Sequence, residues 1–213
     1  MIRRWSVRQQ LVCVSIVLVA IMFVLVPWLT RALGPLPGYL ASFGVYWLCF
    51  CLPAGWWFTR PGHRLKLFDL SVGKDRWVPW VVAAQVGIVA LASWIMAPDH
   101  IPALVVPAAL MFALVNGVLE EFFWRGAYLE QGRGDLRFQL LGVGLFTAWH
   151  VPLVFANGII YPGGGAALVG GALGMGLFWS FIAARRDRIG WPALSHVLTN
   201  AAAFIGFFAL NGS

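Results

Sequence analysis

Seven apolar stretches, at about 10–30, 38–58, 77–97, 102–125, 138–157, 166–184 and 191–210, divide the chain, with short polar or Gly/Pro-bearing connections between them. Each is near the ~20 residues that an α-helix needs to cross a bilayer core. The pattern predicts an all-α fold, a polytopic transmembrane helical bundle of about seven spans, with 1–213 as one domain. Pro192 suits the first turn of the last helix. Between the fifth and sixth stretches, Tyr161-Pro-Gly-Gly-Gly165 is a breaker cluster with room for an eighth, short or re-entrant helix. Gly170 and Gly174 form a small-xxx-small pair, which predicts close helix packing there.

Composition agrees with the pattern. The chain is 61% hydrophobic and 11% charged, less than half of the roughly 25% charged residues of a soluble domain. A net charge of +7 would suit a nucleic-acid partner, but the cations sit in short clusters between apolar stretches. With the N-terminus inside, 14 of the 15 Lys and Arg fall on one side: Arg3, Arg4 and Arg8; Arg60 to Arg76; Arg125, Arg133 and Arg137; Arg185, Arg186 and Arg188. Only Arg31 falls on the other. By the positive-inside rule this predicts a multi-pass membrane protein with a cytoplasmic N-terminus and, with seven spans, an external C-terminus. The bilayer is then its environment and nucleic acid is not its partner. The first stretch resembles a signal sequence but is long enough to span and lacks a small-residue cleavage site, so an uncleaved helix is expected. Cys13, Cys49 and Cys51 lie in apolar runs and suggest packing, not a disulfide or zinc framework.

Chemistry is sought among the ionisable residues inside apolar stretches, which are costly there and face a bundle interior or a watery cavity. Glu120 and Glu121 close the fourth stretch, His150 lies in the fifth and His196 in the seventh. Glu121 and Arg125 are four residues apart and can pair on one helix face. Glu120 is turned about 100° from Glu121 onto the face of Asn116. Arg125 therefore predicts a held, structural Glu121 and a Glu120 free to act as a general base. His196 and Asn200 share a face in the same way. Pro152 frees a backbone carbonyl near His150. By helical rise, Glu120 lies about 8 Å from Arg125 and His196 about 9 Å from Gly190, whereas His150 lies about 20 Å from Arg137. The last is too deep to meet the others unless the fifth helix begins with an irregular interfacial stretch at Leu136–Leu140. There is no H-E-x-x-H, no Asp within a span and no G-x-S-x-G elbow, so glutamate and histidine remain.

Glu120-Glu121-Phe-Phe-Trp-Arg125 resembles the E-E-x-x-x-R motif of the CAAX-protease and bacteriocin-processing family of glutamate-dependent intramembrane endopeptidases. Phe146-Thr-Ala-Trp-His150 is similar to its F-x-x-x-H motif, and His196-Val-Leu-Thr-Asn200 to its H-x-x-x-N motif. The resemblance covers about residues 105–205 as a catalytic core. It implies an endopeptidase cutting a membrane-anchored protein or peptide near the cytoplasmic face, in CAAX-type, bacteriocin-related or C-terminal sorting-signal processing. Glu120 and His150 would then activate a water, His196 and Asn200 would stabilise the oxyanion, and Glu121 and Arg125 would orient the site. The motifs leave a divalent metal such as zinc open, held by Glu120, His150 and His196, but point to no tightly bound one. The compact length suggests a prokaryotic cytoplasmic membrane. A scaffold or a small transporter on the same fold is the competing reading, though no inverted repeat favours transport. The enzyme reading expects Glu120, His150, His196 and Asn200 around one polar cavity in the cytoplasmic half.

Overall fold

The computed structural model describes residues 5–212; Arg3 and Arg4, which enter the charge argument, lie outside that range. Seven long helices match the seven stretches: α1 (Val7–Ala32), α2 (Pro35–Phe58), α3 (Val78–Ile95), α4 (Val105–Gln131), α5 (Leu136–Val154), α6 (Gly164–Arg186) and α7 (Gly190–Asn211). All but α5 are both long and apolar enough to cross a membrane. With 19 residues α5 is long enough, but Arg137, Gln139 and His150 make it less apolar. The Tyr161–Gly163 region is turn and coil and forms no eighth helix.

The sequence places each boundary for a local reason. Ser6 caps α1 and Gln9 returns the bond to its backbone, a capping box. The side chain of Asp135 caps α5 through Phe138 N–H. Along α1, Leu11, Ser15, Leu18, Met22, Val26 and Leu29 form a buried stripe at helical spacing. Its other faces, with Ile16, Val24 and Trp28, are exposed and equally apolar. Lipid is as apolar as the core, so packing and hydrogen bonds, not hydrophobicity, decide which face turns inward.

Two close crossings set the bundle. A Cβ on Gly38 would lie 2.3 Å from the Leu29 carbonyl oxygen, so α2 folds tightly against α1. A Cβ on Gly117 would lie 2.8 Å from the Val197 backbone nitrogen, so α4 and α7 touch backbone to backbone. Any side chain at Gly117 would part them just where Glu120 and Glu121 meet the His196 turn.

The basic end is closed. The α2–α3 connection folds back over the α6–α7 turn, with Leu67 C=O accepting from Ile189 N–H at 2.7 Å. Gly190 lies so close under Asp69 that a Cβ there would be 2.6 Å from the Asp69 carbonyl oxygen. At the same end α3 and α6 meet through Val78, Val82 and Ile182.

Gly170, Gly171 and Gly174 do not bring α6 against another helix. A Cβ at any of the three would meet nothing within 4 Å. The expected small-residue contact is instead made by Gly176, whose Cβ would lie 3.1 Å from Phe146 and 3.3 Å from Arg125. Spacing predicts which glycines share a face, but not whether lipid or protein fills the space in front of it.

Candidate active site

At Glu121 the α4 helix widens into a π-helical segment, Glu121–Ala127, a feature that recurs at functional sites. A second such segment, Tyr46–Cys51, interrupts α2. The two are tied by Trp124 Nε1, which donates to Tyr46 Oη at 2.6 Å. Within the α4 segment, Arg125 Nη1 donates to Glu121 Oε1 at 2.8 Å, the i, i+4 pair expected from the sequence. Both side chains are buried, and the Arg125 guanidinium lies 4.0 Å from the Phe146 ring centre and 5.2 Å from that of Trp179. The two rings shield a cation that water does not reach.

His196 faces both glutamates. Its Nδ1 is 2.9 Å from Glu121 Oε1 and its Nε2 is 3.4 Å from Glu120 Oε2. Its ring stacks on Trp179 with centres 3.9 Å apart. Glu121 is thus committed on one oxygen to both Arg125 and His196. Glu120 is oriented differently: Trp149 Nε1 donates to its Oε1 at 3.0 Å, while Oε2 has no hydrogen-bond partner. Trp149 is itself held by stacking on Tyr46 at 3.8 Å.

His150 places Nδ1 2.9 Å from the Phe146 carbonyl oxygen. A carbonyl only accepts, so this nitrogen carries the proton and Nε2 keeps a lone pair. His150, His196 and Asn200 line one cavity of about 410 Å³. Asn200 Nδ2 has no hydrogen-bond partner. Glu120 is not part of the cavity wall; its Oε2 lies 3.4 Å from Nε2 of His196, which is. The remaining walls come mainly from α3, α6 and α7, with Tyr39 of α2 and Phe146 of α5, and the space runs from these residues to Met96, Tyr161 and Phe207. Its rim includes exposed Ile88 and Gly171, so it opens between α3 and α6.

Two expectations about depth need correction. Helix α5 is regular from Leu136, with no irregular start. His150 still reaches the depth of Glu120, because Arg125 is not a loop cation: α4 continues to Gln131. Glu120 therefore lies about 16 Å from the end of its helix, and His150 about 21 Å from the adjoining start of α5. The antiparallel register agrees, since Gly142 abuts Tyr128 and Trp149 meets Glu120. The cavity also runs away from the basic end and is walled mainly by apolar residues, whereas a polar cavity in the cytoplasmic half was expected.

Reading the sequence missed Trp149, Trp179 and Tyr46, which orient the ionisable groups. Trp149 was legible in principle: it lies inside the F-x-x-x-H stretch, and an indole N–H in an apolar bundle needs an acceptor. Trp179 and Tyr46 left no such signal.

Zinc would need three or more donors converging at about 2.0–2.2 Å on one point. Among the described residues no three His, Cys, Asp or Glu side chains are so placed, and His196 turns Nδ1 to Glu121. These residues as arranged do not form such a set.

In a comparison with protein families, residues 102–202 match the type II CAAX prenyl endopeptidase Rce1-like family. The match lies on the three motifs, and the family it names is the one they resemble. It supports intramembrane proteolysis in general terms. No curated protein and no solved structure matches the chain.

Proposed function

We propose that the protein is an intramembrane endopeptidase that hydrolyses a peptide bond of a membrane-associated substrate with water activated by Glu120 and His150. The observation that carries this reading is the unequal state of the two adjacent glutamates. Glu121 is held by the Arg125 cation and by His196, while Glu120 accepts a hydrogen bond only from the neutral Trp149 indole; each keeps one oxygen without a hydrogen-bond partner. One carboxylate is structural and the other is left to take a proton.

In this mechanism the lone pair of His150 Nε2 accepts a hydrogen bond from a water, and Glu120 takes the proton that the water loses on attacking the substrate carbonyl. The carbonyl oxygen becomes an oxyanion, and Asn200 Nδ2, a donor without a partner, stabilises it. Glu120 then returns the proton to the leaving amine as the C–N bond breaks. His196 has its Nδ1 on Glu121 and its Nε2 toward Glu120, so it orients Glu120 and shares its proton; the oxyanion role rests on Asn200.

The cavity suits an apolar segment that enters from the bilayer between α3 and α6. The scissile bond then lies near mid-depth rather than at the basic face. The test is turnover of candidate membrane peptides in detergent by the wild type and by Glu120→Gln, each with and without chelator. Cleavage by the wild type alone, insensitive to chelator, is the expected result. Full activity of Glu120→Gln overturns the mechanism. Activity lost on chelation and restored by zinc makes Glu120 a metal ligand instead of a base.

A further inference from the structure

Helix α3 lies outside the segment that carries the family match, and its sequence, Val78 to Ile95, is apolar except for Gln85 and Ser93. A primary amide in such a helix needs partners, and Gln85 uses both ends of its amide on α7. Ser195 Oγ donates to Gln85 Oε1, and Gln85 Nε2 donates to Thr199 Oγ1 at 2.9 Å. The hydrogen-bond chain begins at an indole. Trp179 Nε1 can only donate, and it donates to Ser195 Oγ at 2.9 Å. The Ser195 hydroxyl, accepting from Trp179, passes its own proton to the Gln85 carbonyl oxygen, and the Gln85 NH₂ turns to Thr199.

Two consequences reach His196. Ser195 and Thr199 are an i, i+4 pair gripped by one amide, so α7 cannot rotate about its axis without breaking that grip. His196 and Asn200 are the adjoining i, i+4 pair, turned by about 100°, and their direction is set by the same rotation. The anchored indole of Trp179 is also the ring on which His196 stacks, with centres 3.9 Å apart and planes inclined by 18°.

We infer that Gln85 is a positioning residue that sets the plane and direction of His196 toward Glu120 and Glu121 through Ser195 and Trp179. The inference rests on the proposed site for its importance, but not for its test. The chain has four histidines, of which His63 and His100 lie in connections and His150 on another helix. Ring-¹⁵N spectra of histidine-labelled protein in nanodiscs therefore report His196 with three internal controls.

Gln85→Leu should shift or broaden the His196 ring signals and leave the other three in place. Ser195→Ala should do the same, and adding Gln85→Leu to Ser195→Ala should change nothing further. Gln85→Glu keeps an oxygen for the Ser195 hydroxyl and should keep the wild-type His196 signals, which tests the chain even if Gln85→Leu fails to fold. Leu91→Ala, exposed on the same helix, is the stability control and should not move His196. If a peptide is cleaved, Gln85→Leu should lower kcat about tenfold with KM held, as loss of an orienting partner does. An unmoved His196 signal in Gln85→Leu, equal movement of all four histidines, or additive effects in the double variant would overturn the inference. Absence of proteolysis with the spectra behaving as expected would reject the protease reading alone.

Discussion

Two of the molecule's carboxylate–guanidinium clusters are built on opposite terms. At the basic end, Asp69 and Asp75 face Arg185, Arg186 and Arg188, and all four carboxylate oxygens are engaged. Asp75 meets Arg186 at 2.6 Å and Arg185 at 3.2 Å, while Asp69 takes Ser71 N–H, the Ser71 hydroxyl and Arg188. In the bundle, Glu120 and Glu121 face Arg125 and His196, and Glu120 Oε2 and Glu121 Oε2 both lack a hydrogen-bond partner. The outer cluster could have satisfied itself with water and instead closes a loop. The inner one is buried and leaves two acceptors without a partner in the protein. Buried groups are nearly always partnered, so two open acceptors side by side within the bundle, not the charges, mark the inner cluster as a place for chemistry, whereas the outer cluster leaves the Arg186 Nε donor open but no carboxylate oxygen.

The largest contrast is expected from removing one carboxylate charge in each cluster. Glu120→Gln keeps shape and the bond from Trp149 but loses the base, and cleavage should fall by about 10²–10⁴-fold. Asp75→Asn should leave turnover within experimental error. Both are read in the same gel assay, and equal losses would remove the distinction between a site and a clamp.

Next comes Arg125. Removing one partner of a buried ion pair costs about 3–5 kcal/mol, because the other charge is left uncompensated. Arg125→Ala should therefore show mainly as lost expression and a lowered unfolding midpoint in detergent. Glu121→Gln with Arg125→Met removes both charges and should be less damaging than Arg125→Ala alone. An Arg125→Ala protein as stable as the wild type yet inactive would make Arg125 part of the chemistry.

Much of this contrast was legible in the sequence. Apolar length gave the helices, and i, i+4 spacing gave the Glu121–Arg125 pair and the shared face of His196 and Asn200. What spacing could not supply was depth. Arg125 reads as a loop cation because cations in spans are rare, and only packing shows it shielded by Phe146 and Trp179. That one misplacement made His150 seem too deep. The glycines of α6 failed for a related reason: a smooth face packs equally well against lipid or protein. Trp149 and Trp179 stayed hidden because tryptophan in an apolar helix has too many ordinary uses.

A smaller effect is expected at Asn200. One oxyanion donor is typically worth about 10²–10³ in kcat. Asn200→Ala should leave slow, measurable turnover with little change in KM, because Nδ2 has no partner to lose within the protein itself. A fall in stability like that of Arg125→Ala would show that Asn200 belongs to the fold rather than to the substrate.

The smallest effect should come from acid acting on the outer cluster. The Ser71 backbone N–H, with the Ser71 hydroxyl and Arg188, holds the Asp69 carboxyl below its ordinary range. Arg186, with Arg185, does the same for Asp75. A carboxyl depressed in the folded state adds stability above its unfolded value of about 3.9, and that contribution is lost as pH falls through the folded value. Between pH 7 and about 5 the connection from 59 to 77 should keep its hydrogen-exchange protection; below about 4 it should lose it. Salt should weaken the exposed Asp69–Arg188 pair at neutral pH and the mostly buried Asp75–Arg186 pair much less, since exposed charges are screened more than buried ones. Asp75→Asn should show the loosened exchange already at pH 7, with the α4 and α7 amides around Glu121 and His196 unchanged. If Asp75→Asn follows the wild-type exchange profile, the ion pairs are incidental, and the closed basic end rests on the Leu67–Ile189 hydrogen bond and the Gly190 contact.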